Sequence, residues 1–245
     1  MSSDLFACAT DPRQYDSNEI NWGIETGLES PLRRFLFDCL KRYKMKWKGA
    51  SILDVGCGTA WLVELFLENG AAHAEGIEPS KKNVLLAKKL RPKVLVRNKS
   101  LESFSTKRKF DLIVAAMVMC HIANVPKAFK KISSLMNEGA EFHMIVPDYE
   151  FGKTPRFDHK MRIKKINGNE YAVETIRHFS GKMFDVIRKT AVYEEAAAKS
   201  GLVLLEEVPL HPTQALIRSM PRYKEFRNTV NARLLRFKKI RAEKK

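Results

Sequence analysis

Ser51-Ile52-Leu53-Asp54-Val55-Gly56-Cys57-Gly58-Thr59-Ala60-Trp61-Leu62 is the stretch from which the fold can be worked out. The apolar run Ile52 to Val55 predicts a buried strand. The glycines behind it predict a tight turn into an amphipathic helix over Trp61 to Glu68, ended by Asn69-Gly70. Gly56 and Gly58 lack a Cβ, so the backbone there reaches positive φ and approaches a ligand closely, while the first amides of the helix point at it. Asp54 stands at the strand end, within reach of the same spot. A G-x-G after a strand also fits a dinucleotide site, whose third glycine packs helix on strand; here no glycine follows before Gly70. A second strand, Ala74-Glu75-Gly76-Ile77, ends in Glu78, an acid at the distance from the turn where ribose hydroxyls are held. Dinucleotides and adenosyl cofactors both satisfy this pattern.

Asp54-Val55-Gly56-Cys57-Gly58-Thr59 resembles the first motif of class I S-adenosylmethionine-dependent methyltransferases, and Gly76-Ile77-Glu78-Pro79-Ser80 resembles their second. Phe110-Asp111-Leu112-Ile113-Val114 is similar to the fourth motif and Met119-Cys120-His121-Ile122 to the turn after it. Leu135-Met136-Asn137-Glu138-Gly139-Ala140 resembles the family's helix exit, with Ala140 in place of a second glycine. Within the class the chain is most similar to the small-molecule branch that includes the quinone O-methyltransferases, whose Asn-Pro-Leu-Arg is matched by Ser30-Pro31-Leu32-Arg33. The resemblance implies an α/β, Rossmann-like, seven-stranded and mostly parallel sheet flanked by helices, S-adenosyl-L-methionine as cofactor, and methyl transfer to a small or medium organic acceptor. It also implies the cofactor contacts: Arg33 on the carboxylate, Asp54 and the turn residues Gly56, Cys57 and Gly58 near the methionine part, and Glu78 with Pro79 at the ribose. Ser100 and Leu101 follow at the adenine, and Ala116 at the exit of the fourth strand. The related quinone enzymes carry an acid before the histidine, where this chain has Cys120; no metal is expected.

On this reading the chain divides into an N-terminal helical segment or lid (1–48), the cofactor-binding core (49–149), an acceptor-site insertion (150–190) and the C-terminal part of the sheet with a basic end (191–245). Ser30 and Pro31 open a helix to Tyr43, and Pro79-Ser80 opens another that Pro92 stops. Val94 to Val96, Leu112 to Ala116 and Glu141 to Val146 predict strands three to five, with a helix over Val125 to Met136 between the last two. After strand five, Met161 to Ile166 and Tyr171 to Ile176 flank Asn167-Gly168, the signal of a β-hairpin, here a lid insertion. Thr190 is expected to cap a helix over Ala191 to Lys199, with a strand from Leu202. Ala232 to Ile240 reads as a closing strand with its charges on an exposed flank rather than as a basic helix. His121, Asp148, Tyr149 and His178 are the candidate catalytic residues, because strand order brings His121, Asp148 and Tyr149 to the carboxyl edge of the sheet and His178 into the insertion. Each has a competing reading as a packed structural side chain.

The totals bound the alternatives. With 44% apolar residues in 245, the chain is large enough for one α/β domain with a full core. Cys8, Cys39, Cys57 and Cys120 are scattered, without C-x-x-C spacing, which argues against a disulfide scaffold or a structural metal. Polar residues at the start lack signal-peptide character and no run is long enough to span a bilayer, so a cytoplasmic protein is expected. Forty-four Lys and Arg against 28 Asp and Glu give a net charge of +16. That excess fits a solvated surface, and it also admits an RNA methyltransferase, although no RNA-binding module or basic-aromatic stripe is evident. A non-catalytic S-adenosylmethionine-binding partner protein and an NAD-dependent dehydrogenase complete the alternatives. Peripheral membrane contact through basic residues is compatible with the sequence, which leaves the oligomeric state open.

Overall fold

The computed structural model describes residues 4–11, 14–17, 30–155, 160–177 and 181–240. Three short helices lead in: α1 (Leu5–Thr10), α2 (Gln14–Ser17) and α3 (Pro31–Leu40). The core then alternates as β1 (Ser51–Val55), α4 (Trp61–Glu68), β2 (His73–Ile77), α5 (Lys81–Leu90), β3 (Leu95–Arg97), β4 (Phe110–Ala116), α6 (Val125–Leu135) and β5 (Met136–Pro147). An antiparallel trio follows, β6 (Lys160–Lys165), β7 (Glu170–Arg177) and β8 (Gly181–Arg188). The chain closes with α7 (Thr190–Ala198), β9 (Leu202–Leu210), α8 (Gln214–Ser219) and β10 (Ala232–Lys239).

The main sheet has seven strands in the order β3-β2-β1-β4-β5-β10-β9. β1 pairs in parallel with both β2 and β4, whereas β10 runs antiparallel to β5 and β9. Strand order therefore reverses at β1, and the crevice beyond the carboxyl ends of β1 and β4 is where open sheets of this kind bind ligands. Period-two alternation distributes the apolar side chains to both faces. Leu53, Val55, Ile113 and Phe142 pack under α6 and α7, while Ile52, Leu112, Val114 and Ile145 pack under α3, α4 and α5. The first face is built on Phe129 of α6, whose ring meets Phe142 and Phe237 edge-on at 5.6 and 5.4 Å.

The closing strand is β10, as its apolar positions predict, but its arginines are not displayed on an exposed flank. Arg233 pairs with Asp148 and Glu207, and Arg236 with Glu141 and Glu206. The insertion is a three-stranded sheet, β6-β7-β8, rather than a hairpin alone. α7 starts at Thr190 with Lys189 as its cap residue. Thr190 does not cap it, because its hydroxyl donates to Glu207 instead. Among the described residues no helix is long and apolar enough to cross a membrane.

One polar network is built into the sheet. Glu141 of β5 accepts from Lys46 (2.6 Å) and Arg236 (2.8 Å) and lies 2.8 Å from Nε2 of the buried His143. Burial alone would raise the Glu141 carboxyl, but the bonds from His143, Lys46 and Arg236 outweigh it and hold it below the usual carboxylate range. A carboxyl depressed on folding stabilises the fold above its unfolded value, about 4.3, and loses that contribution as pH falls through the lower folded value. Below about pH 5, wild type should therefore lose stability on acidification more steeply than Glu141→Gln. Urea midpoints taken across the acid range check this.

Candidate functional site

The turn between β1 and α4 is clamped from behind. The amides of Gly56 and Cys57 both donate to the carbonyl of Ile77 at the end of β2, at 2.8 and 3.1 Å. Gly56 (φ 67°), Gly58 (φ 55°) and Ala60 (φ 61°) all take the left-handed conformation, which glycine adopts freely and alanine only under restraint. A Cβ built at Gly58 meets nothing within 4 Å, so there is room beside the turn for a ligand. Cys57 has a packing role: a Cβ on Gly76 would lie 2.4 Å from its Sγ. Burial, followed by the charges of Asp54 and Glu78, pushes its thiol well up, which keeps it protonated and unreactive.

Glu78 closes the turn. Its Oε2 accepts from the Gly58 amide and its Oε1 from the Ser80 amide, both at 2.9 Å. Its carboxyl is raised by burial, against the opposing pull of those two amides. Asp54 is buried as well, and burial together with the Glu78 charge pushes it well above the usual carboxylate range. Two buried acids at one turn repel each other, and a cationic ligand would relieve both. Arg33 of α3 donates to the Thr59 hydroxyl (3.2 Å) and lies 5.9 Å from the Trp61 ring, so its guanidinium is held at the same turn. Asn98 donates to the carbonyls of Glu78 and Pro79 at 3.0 and 2.9 Å, which brings the β3 exit, with partly buried Ser100 and buried Leu101, to this edge. Ala116 ends β4, and Met117 after it also adopts positive φ (60°).

Ser80 caps α5 by accepting from the Asn83 amide at 3.2 Å, and its hydroxyl donates to Asp16 of α2 at 2.7 Å. Asp16 also accepts from the Lys82 amide. Ser80→Ala should cost about 1 kcal/mol of stability through the lost cap, read as a lower denaturation midpoint, and should loosen α2 from this edge.

The candidate catalytic residues are placed differently from one another. His121 sits in the turn after β4, with Tyr15 Oη 2.5 Å from its Nε2, the carbonyl of Ala9 3.3 Å from its Nδ1 and Asp185 Oδ1 3.6 Å from Nε2. Cys120, His121 and Asp185 present donor atoms within 4.8 Å of one another. Burial and then the Asp185 charge push the Cys120 thiol well up, so it too stays protonated. Asp148 spends Oδ1 on the amides of Glu150 and Phe151 and Oδ2 on Arg233, fixing the β5 exit. Tyr149 lies with Tyr171 in a cavity of about 390 Å³ that Lys153, Lys165 and Lys189 also line. Its ring is 4.0 Å from the Lys153 ammonium and 5.2 Å from that of Lys189. His178 lies outside the described residues.

Three side chains of the site escape a reading of the sequence. Tyr15 and Asp16 occupy a four-residue helix in a polar stretch, and Asp185 lies on β8, whose pattern gave no strand signal. Arg188, at the end of β8, donates to the carbonyls of Met119 and Ile122, both at 2.9 Å, and pairs with Glu170 at 2.6 Å. It joins the small sheet to the β4 exit.

Residues 28–211 match the family model of a methyltransferase domain. Among curated proteins the chain is similar to ubiquinone biosynthesis O-methyltransferases, 28% identical over 151 residues to that of Rhodopseudomonas palustris (53% of this chain, 59% of the relative) and 30% over 136 residues to that of Nitrobacter winogradskyi (48% and 52%). The chain thus spans little more than half the length of these relatives. Its fold is that of an S-adenosylmethionine-dependent methyltransferase from Mesorhizobium loti (17% identical, 80% of this chain and 94% of that one, TM-score 0.63). The same holds for an S-adenosylmethionine-bound amino pentose methyltransferase of Micromonospora echinaspora (17% identical, 82% and 89%, TM-score 0.59).

Proposed function

We propose that this chain, which belongs to the methyltransferase-domain family, transfers a methyl group from S-adenosylmethionine to a small or medium organic acceptor. The observation that carries the reading is the pair of buried acids, Asp54 and Glu78, at a glycine turn with open space beside Gly58. When bound, S-adenosylmethionine supplies a methyl group on an already electrophilic, positively charged sulfur. The chain's part is to hold the partners in line and keep water out, which in favourable cases supplies about 7–11 kcal/mol of the barrier. Arg33 offers a guanidinium fork that matches a carboxylate. Glu78 presents two carboxylate oxygens at the turn, each accepting one backbone amide, and a carboxylate's several acceptor positions suit a ribose diol. Gly56, Cys57 and Gly58 line the near side, Pro79 the ribose beside Glu78, Ser100 and Leu101 the adenine side, and Ala116 the exit toward the acceptor. The lysine-lined cavity beside Tyr149 supports Tyr149 as a residue that meets the acceptor. A reducing, cytoplasmic setting accords with four free thiols.

The test is thermal stabilisation by S-adenosylmethionine, S-adenosylhomocysteine and NAD in parallel, at low and high salt. A shift with the two adenosyl ligands alone is expected at both salt concentrations. A shift with NAD only, or none with any ligand, would sink the reading.

A further inference from the structure

A cavity of about 390 Å³ lies between the β5 exit and the small sheet, lined by Tyr149, Lys153, Ile163, Lys165, Tyr171 and Lys189. Its volume falls within the range of small-molecule sites, about 300–1,000 Å³. Strand pairing decides which side chains face it. Tyr171 and Val173 of β7 pack with Tyr149, and they stand opposite Lys165 and Ile163 of β6, so alternation puts Ile163 and Lys165 on that same face. The aromatic walls are fixed by their own bonds. The Tyr171 hydroxyl donates to the carbonyl of Tyr149 at 2.7 Å, and the two rings meet edge-on with 5.1 Å between centroids. The Tyr149 hydroxyl in turn reaches the Gly168 carbonyl at 3.5 Å, in the turn between β6 and β7.

Charge gives the cavity its selectivity. The ammonium groups of Lys153, Lys165 and Lys189 share it with one carboxylate, that of Glu150. Glu150 is 77% exposed and pairs with Lys153 at 3.2 Å. Glu170 of β7 is taken by Arg188 and Asn167, at 2.6 and 2.8 Å. Among the described residues Lys165 and Lys189 have no carboxylate partner. Lys153 and Lys189 converge on one ring instead, with their ammoniums 4.0 and 5.2 Å from the Tyr149 centroid. Positive charge is therefore left in excess around a space of ligand size. A phosphate monoester carries about −1.5 to −2 at pH 7 and offers three acceptor oxygens, which suit ammonium groups that donate in several directions. Ile163, 46% exposed in the same wall, offers an apolar surface for the rest of such a molecule. Tyr149 and Lys189 are each one residue from a side chain that ties down an exit of the main sheet, Asp148 at β5 and Arg188 at β4.

We infer that this cavity is a binding site for a soluble phosphate monoester with an apolar body, its phosphate held by Lys165 and Lys189 and its body laid against Ile163 and the Tyr149 ring. The inference goes beyond the methyltransferase reading and does not depend on it.

In the experiment, phenyl phosphate is titrated calorimetrically into the full chain at constant ionic strength, beside inorganic phosphate, phenyl sulfate and phenol. Phenyl phosphate should bind more tightly than the monoanionic phenyl sulfate and than inorganic phosphate, which has no apolar body, and phenol should not bind. Lys165→Gln/Lys189→Gln should weaken phenyl phosphate binding about 10-fold, as expected of two partly screened charge contacts, with melting temperature and S-adenosylhomocysteine affinity unchanged. Lys165→Arg/Lys189→Arg should retain it. Glu150→Gln, which removes the competing carboxylate, should tighten it, an effect that damage to the fold cannot produce. Because the chain carries a net charge of +16, Lys88→Gln/Lys89→Gln on the exposed face of α5 is the charge-matched control and should leave binding as it is. Equal losses in the two glutamine pairs would mean unspecific attraction to a basic surface and overturn the site. Absence of phenyl phosphate binding to wild type overturns it as well, and binding no tighter than that of inorganic phosphate overturns the role of the apolar wall. Capture by phosphatidic acid vesicles without binding of phenyl phosphate would move the same phosphate chemistry to a lipid headgroup and overturn the soluble ligand. Failure of wild type to bind S-adenosylhomocysteine would count against the methyltransferase reading alone, since the phenyl phosphate titrations are read without it.

Discussion

Glu78→Ala is expected to weaken S-adenosylhomocysteine binding about 10- to 150-fold, the ~1.5–3 kcal/mol of a hydrogen bond to a charged group, while the melting temperature of the ligand-free chain changes little. The two effects separate because Glu78 works against itself in the free chain. Its carboxylate satisfies the Gly58 and Ser80 amides at 2.9 Å, but burial raises its carboxyl and so makes its charge costly. Alanine removes the favourable and the unfavourable contribution together. In the complex no such cancellation holds, since the acceptor atoms proposed for the ribose hydroxyls are gone. Glu78→Gln refines the point, because its NH₂ group would face one of the two backbone amide donors, a donor-donor clash that alanine does not create. It should bind more weakly than wild type and melt at a lower temperature than Glu78→Ala. Calorimetric titration beside thermal melts decides. Unchanged affinity in Glu78→Ala would remove Glu78 from the site, and a large fall in melting temperature would make it a folding residue.

What the sequence disclosed and what it hid differ by the range of the interactions involved. The turn at Gly56 to Thr59 was legible because its demands are local: a strand, positive φ and a helix start within twelve residues. β10 was legible as a strand because Leu234, Leu235 and Phe237 are buried between β5 and β9. Its charges were misplaced because Arg233 and Arg236 find partners on other elements, which no local pattern encodes. β8 was hidden for a similar reason. Val186, Ile187 and Arg188 are all buried in succession, so the alternation that marks a half-exposed strand is lost. The pair Tyr15–His121 spans 106 positions, and only the folded chain brings α1, α2, β8 and the β4 exit around one imidazole. Even Asp148, reached correctly by strand order at the carboxyl edge, gave no sign in sequence that Arg233 and two amides would occupy its oxygens.

Gly56→Ala should destabilise the chain by ~2–5 kcal/mol, from two sources that can be separated. The first is conformational: φ is 67°, and an L-residue held in the left-handed region costs roughly 1–2 kcal/mol. The second is steric. A Cβ at position 56 would stand 2.5 and 2.9 Å from the two γ-methyls of Val118, and overpacking of this kind costs about 1–3 kcal/mol. Val118 follows Met117, itself at φ 60° and bonded through its amide to Ile145. The β4 exit therefore cannot easily give way, and the new methyl group should displace the turn instead. Removing the obstruction with Val118→Ala should then recover the steric part alone. The double variant Gly56→Ala/Val118→Ala should be destabilised, relative to Val118→Ala, only by the conformational ~1–2 kcal/mol. Urea denaturation of the four members of the cycle measures the coupling directly. A coupling near zero would mean that the turn and the β4 exit adjust independently, and that the close approach of Gly56 to Val118 does not hold the crevice in shape.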